Sequence, residues 1–234
     1  MEKKKIAILQ SNYIPWKGYF DIIDRVDEFI LYDTAQYTKR DWRNRNLIKS
    51  DRGKIWLTIP VQVKNKFDQS INDVEVADHI WCKKHFRSIV QNYSKAECFR
   101  SYSDFFEDLY SKSGEFEYLS QINEFFLKKI CGLLGIDTHI SRSGDYAVYG
   151  TKSEALISLC EQTGADVYLS GPSAKDYLNV DLFSAKKISV EWMNYEGYRK
   201  YDQLYGDFEH SVSVIDLILN TGDKAIEYIR KREA

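Results

Sequence analysis

Three segments near the start of the chain limit its fold more than any other feature. Residues 5–10 (KIAILQ) form a short apolar run, 17–26 (KGYFDIIDRV) carry helical spacing, and 28–33 (EFILYD) form a second apolar run. Two buried strands joined by one amphipathic helix make a compact βαβ unit, and the connection requires the strands to be parallel. A ligand site of such a unit is expected at the carboxyl end of its first strand. Here that position holds QSNYIPWKGYF, which combines amides, hydroxyls and aromatic rings with a rigid Pro15 and a Gly18.

The rest of the pattern extends this unit. Residues 54–63 (KIWLTIPVQV) read as a strand, placed at a sheet edge or strand end by Pro60. From 79 to 135 the signal turns helical, through HIWCKKHFRSIVQNY, YSDFFEDLYSK and FEYLSQINEFFLKKICGLLG, the last stopped by Gly135. The α/β pattern then returns. Thr151 and Glu154 predict a capping box, Gly164 ends the helix behind it, and DVYLSG and ISVEWM read as strands. SVSVIDLILNTGDKAIEYIRKR closes the chain with helices. The expected fold is one α/β domain over 1–234, with a mostly parallel sheet built from both ends of the chain and a helical insertion at about 79–135.

Size and composition narrow the function. The chain has 234 residues, a net charge of -2 and 29% charged residues, which gives no general attraction to nucleic acid or an anionic membrane. No apolar run reaches the length of a membrane span or a secretory leader, so the reading is cytoplasmic, with no membrane partner. The cysteines at 82, 98, 131 and 160 follow no metal or disulfide spacing and read as structural. Aromatic residues reach 15%, with 17 tyrosines, and tyrosine suits both cores and wet ligand pockets.

A second unusual segment, QYTKRDWRNRNLIK at 36–49, follows the second strand as the first segment follows the first strand. Both are therefore expected at one carboxyl rim. Lys39, Arg40, Arg43, Arg45 and Lys49 concentrate positive charge, with Tyr37 and Trp42 among them and Asn44 and Asn46 as orientable donors and acceptors. Guanidinium groups grip phosphate through paired hydrogen bonds, and aromatic faces stack on bases or sugars. The same residues could instead form a solvated loop. The interleaving of Arg with Asn, where acids would cancel the charge, favours an anion.

These segments resemble the WbqC-like proteins. The resemblance is carried by ILQSNYIPWKGYFDII, DTAQYTKRDWRNRNLIK with GKIWLTIPV, HIWCKKHFRSIVQNYSKA, YLSGPSAKDYL and SVSVIDLILNTG, in order along nearly the whole chain. Members typically carry a paired acid before the QY dipeptide, where this chain has Asp33 and then Thr34. They also tend to a second Gly and an Asp where Ala174 and Asn179 stand. The resemblance implies surface-polysaccharide (O-antigen or capsule) biosynthesis, with transfer of an acyl or aminoacyl (glycyl-type) group to the amine of a nucleotide-linked amino sugar. It leaves the cofactor unknown and the donor open between free amino acid with ATP, a thioester and a charged tRNA. WKGY at 16–19 more weakly resembles the HxGH motif of nucleotidyl-transferring and adenylate-forming enzymes. Gly18 matches the glycine that lets a nucleotide approach the helix start, but Trp16 and Tyr19 replace the histidines. A non-enzymatic reading, stacking of single-stranded RNA on QYTKRDWRNRN, is the other alternative.

On this reading Gln10, Asn12, Tyr13, Trp16 and Tyr19 form a pocket for sugar or acyl donor. Lys39, Arg43 and Arg45 hold phosphates, with Gln36, Tyr37, Trp42, Asn44 and Asn46 beside them. Asp33, at the end of the second strand, or His85 takes the proton from the attacking amine. Ser170 and Gly171, in a turn before a helix start, are expected to border the same cleft and offer backbone N–H groups to an anion. His79 and His85 fall on different helix faces, which argues against a paired metal site, and no metal ligands are assigned. No GxSxG, Walker A or GxGxxG motif occurs.

Overall fold

The computed structural model describes residues 3–230, so Met1 and Glu2 of the basic start and the closing KREA lie outside the described residues. Five parallel strands form the main sheet: β1 (Lys5–Leu9), β2 (Glu28–Leu31), β5 (His139–Arg142), β6 (Val167–Ser170) and β7 (Ser189–Trp192). Their spatial order is β5-β2-β1-β6-β7. Helix α1 (Lys17–Asp24) crosses from β1 to β2, α5 (Ser153–Thr163) from β5 to β6, and α6 (Val180–Ala185) from β6 to β7. The chain thus builds outward from β1 to β5 on one side, then returns to build outward on the other. The reversal falls between β1 and β6, and that is where an open parallel sheet leaves a crevice at its carboxyl end.

Side-chain alternation gives the sheet two buried faces. Ile6, Ile8, Ile30 and Tyr168 point to one layer, where they pack with Ile157, Leu159, Cys160 and Phe183 of α5 and α6. Ala7, Phe29, Leu31, Ile140 and Leu169 point to the other. That layer holds α1, the helices α2 (Ile80–Tyr93), α3 (Phe99–Ser113) and α4 (Leu119–Leu134), and the closing helices α7 (Val214–Thr221) and α8 (Ala225–Ile229). Burial on both faces explains why these strands read as apolar runs, and the hydrophobic effect over both layers is the main stabilising term. Gly135 ends α4 with φ 66°, a left-handed conformation that favours glycine.

Local expectations need correction in two places, the segment after residue 44 and the start of α5. Residues 45–63 do not join the main sheet: β3 (Arg45–Ser50) pairs antiparallel with β4 (Gly53–Thr58) as a separate hairpin. Arg45 and Asn46 are therefore strand residues. The ladder stops at Thr58, and Pro60 has no N–H to continue it. The capping box at α5 forms only in part. The Glu154 carboxylate accepts from the Thr151 N–H at 3.3 Å, but the Glu154 N–H bonds the Thr151 carbonyl and not its hydroxyl. Among the described residues no helix is long and apolar enough to cross a membrane.

Candidate functional site

The loop after β1 is fixed from several directions. The Tyr13 N–H bonds the Trp42 carbonyl at 3.0 Å, and the Asn46 side chain donates to the Tyr13 carbonyl at 3.0 Å. Arg43 donates to the carbonyls of Gln10 and Ser11 and to the Asn12 side chain. Asn123 of α4, fully buried, donates both to the Ser11 hydroxyl (3.0 Å) and to the Arg43 carbonyl (2.9 Å). The helical insertion thereby holds the two unusual segments together, because an unmade hydrogen bond at these buried groups would be costly.

Above the carboxyl ends of β1 and β6 lies a cleft of about 710 Å³. Its walls bring Gln10, Asn12, Trp16, Tyr19 and Arg43 from the first two segments against Ser170 and Gly171 of the turn after β6. Tyr32, Tyr168, Tyr177 and Tyr195 add aromatic surface, and Lys152 adds a cation at the start of α5. Lys152 has φ 51° and ψ -120°, a strained backbone for a non-glycine residue, and this outlier sits at the rim of the cleft. The turn Pro172–Asp176 borders the same space with Ser173 and Ala174. A hollow of about 230 Å³ adjoins it, sharing Asn12 and Trp16 and adding Trp42 and Asn46.

Trp16 explains the glycine two residues on. A Cβ on Gly18 would lie 2.3 Å from Cζ2 of the Trp16 indole. The indole, edge-on to Tyr195 at 5.2 Å, therefore occupies the space that the weaker resemblance reserved for a nucleotide. Gly18→Ala is expected to cost ~1–2 kcal/mol through overpacking and to displace the indole, giving a changed near-ultraviolet circular dichroism spectrum. An unchanged spectrum and stability would show that Trp16 has room to move.

Asp33 opens on a different space. It lines a smaller cavity of about 200 Å³ above the ends of β2 and β5, with Leu31, Asn72, Tyr118, Ser120, Gln121, Glu124 and Arg142. Asp33 is 3% exposed, and its carboxylate accepts from the Ser11 N–H at 2.8 Å. Burial pushes its pKa up, against the lowering effect of the Ser11 hydrogen bonds and the Arg43 charge. Ser11 thus links the rim of the large cleft to the wall of the small one.

The remaining sequence candidates lie elsewhere. His85 is 6% exposed inside an aromatic cluster with Tyr13, Trp81 and Tyr110. Burial lowers its pKa to about 4, so it is a neutral core histidine and does not share a cavity with Asp33. Tyr13 is fully buried and bonds His85 Nδ1 at 2.9 Å and the Tyr110 hydroxyl at 2.8 Å. Asn44 donates to the Ile59 carbonyl, and Gln36 to that of Phe67. Tyr37 is buried, and the Lys39 ammonium sits over the Phe67 ring. Arg45 stacks its guanidinium on Trp56 at 4.1 Å and donates to the Arg40 carbonyl. Of the three cations expected on phosphates, the cleft receives Arg43. Sequence reading missed Lys152, Tyr32, Tyr168, Tyr177 and Tyr195, for which the high tyrosine content was the available signal. It also missed Glu124 and Arg142, which carry no local motif.

Fold and site together define an open parallel α/β protein with an aromatic, cationic crevice at its switch point. The chain belongs to the WbqC-like protein family, whose pattern matches residues 10–228. It is 48% identical over 227 residues to the uncharacterized protein Rv1507c of Mycobacterium tuberculosis (strain ATCC 25618 / H37Rv), covering 97% of this chain and 98% of that one. No solved structure matches it.

Proposed function

We propose that the protein is an enzyme of surface-polysaccharide biosynthesis that transfers an acyl or aminoacyl group to the amine of a nucleotide-linked amino sugar. The observation that carries the reading is the 710 Å³ cleft at the reversal of strand order. Its size is in the range of small-molecule and cofactor sites, roughly 300–1,000 Å³. Its tyrosines and Trp16 offer faces for a base and a sugar ring, while Arg43 and Lys152 offer charge for a diphosphate. Family membership supports the surface-glycan setting. Asp33 opens on the smaller cavity, so this reading removes it from the nucleotide-sugar contacts and gives it to the second substrate.

The test is a thermal-shift panel of nucleoside-diphosphate amino sugars, ATP and oligonucleotides, followed by mass spectrometry for an acylated amino sugar. A ligand at about a hundred times its Kd stabilises the native state by ~2.7 kcal/mol. Stabilisation by the nucleotide-sugars and a mass increase on the amine are expected. Stabilisation by oligonucleotide alone would contradict the reading in favour of an RNA-binding module, and by ATP alone in favour of adenylate chemistry.

A further inference from the structure

The smaller cavity has walls of opposite charge. On one side Asp33 presents a buried carboxylate that is held by Ser11 and forms no salt bridge with Lys or Arg among the described residues. The other acid, Glu124, is already neutralised, bonding Lys128 at 2.7 Å and Arg142 at 2.5 Å. On the other side lies the start of α4, a helix of 16 residues with no acid in its first turn. Ser120 and Gln121 of that turn line the cavity, as does Arg142, whose Nε and Nη2 are held by Glu124 and whose Nη1 bonds no described residue. The Leu119 N–H of that turn is taken by the Val74 carbonyl at 2.8 Å, and the next N–H groups of a helix start lack partners within it and favour a negative charge.

We infer that this cavity binds a free α-amino acid with a small side chain, its ammonium group at Asp33 and its carboxylate at the start of α4 beside Arg142. A space of about 200 Å³ is smaller than most small-molecule sites and excludes a nucleotide. A bare phosphate has no partner at the Asp33 wall, where like charge repels it. A metal ion is poorly served too, since no group of three His, Cys, Asp or Glu side chains able to hold one occurs among the described residues. The inference concerns binding. Only the use of the bound molecule, as donor of the aminoacyl group, rests on the function proposed above.

The experiment compares glycine, L-alanine and L-serine with N-acetyl-L-alanine, L-alaninamide and L-tryptophan by thermal shift and calorimetric titration. The first three are expected to bind and the last three to fail, losing the ammonium group, the carboxylate or the fit. Ser120→Asp puts an acid in the first turn of α4, where it favours the helix and repels a carboxylate. It is expected to weaken alanine binding by about tenfold or more while the melting temperature holds or rises. Asp33→Asn should weaken it similarly. Binding of N-acetyl-L-alanine as tight as that of L-alanine, or unchanged binding in Ser120→Asp, would overturn the inference, as would no binding of any of the six. A nucleoside-diphosphate amino sugar is titrated alongside. If it binds and the amino acids do not, the inference alone fails; if only the amino acids bind, the proposed function fails and the site stands.

Discussion

Arg43→Lys is expected to weaken binding of a nucleoside-diphosphate amino sugar by ~1–3 kcal/mol, whereas Arg45→Lys changes it by less than about twofold. Both substitutions keep the charge, so the difference isolates geometry. The Arg43 side chain is 14% exposed, lines the cleft, and is aimed by the carbonyls of Gln10 and Ser11 and by the side chain of Asp41 at 3.5 Å. A lysine, with a single nitrogen, cannot keep those contacts and also reach a phosphate. Arg45 instead spends its guanidinium on the Trp56 face and the Arg40 carbonyl. Calorimetric titration of both variants settles the assignment. Equal losses would mean that Arg45 leaves Trp56 to reach the ligand, and no loss at Arg43 would remove the phosphate from this part of the cleft.

The second large effect is on stability. The His85 ring bonds the Tyr13 hydroxyl through Nδ1, and burial, which outweighs a hydrogen bond with the Thr58 backbone, brings its pKa from 6.5 to about 4. The unfolded chain therefore takes up this proton at a pH where the native state refuses it. The sign follows: stability is full above about pH 6.5 and falls with pH until the folded pKa is reached, losing ~2 kcal/mol by pH 5. Glu28, Asp41 and Glu209, whose pKa values are lowered by hydrogen bonds and neighbouring cations, contribute only at lower pH. Asp33 and Asp216, raised by burial, act with the opposite sign. His210 is also lowered, by burial and by Lys17 and Lys200. Urea unfolding at pH 7 and pH 5 should thus show a smaller loss in His85→Gln than in the parent chain. An equal loss in both would show that His85 is protonated in the folded state near neutral pH.

The parallel sheet was legible because strands buried on both faces leave continuous apolar runs, as in KIAIL and VYLS, and because crossover helices space them regularly. The fifth strand, HISR, is short and half polar, so its pattern gave no such signal. The main error lay at 36–49. Charge density there suggested one anion site, but the segment straddles a loop and a strand. Arg43, in the loop before β3, enters the cleft, while Arg45, the first residue of β3, lies on Trp56 of the paired strand. Lys152 and Arg142 were invisible for another reason. Each is a single residue brought to the rim by chain reversal, and no local spacing records which loops a switch point will unite.

The central claim is that the cleft between the ends of β1 and β6 holds the nucleotide-linked substrate. Hydrogen-exchange mass spectrometry with a nucleoside-diphosphate amino sugar tests it most directly. The account predicts added protection in peptides spanning 8–19, 41–46, 152–156 and 168–174, with none across α2 and α3. Protection confined to peptides of α2 and α3, or an unchanged pattern at saturating ligand, would contradict it.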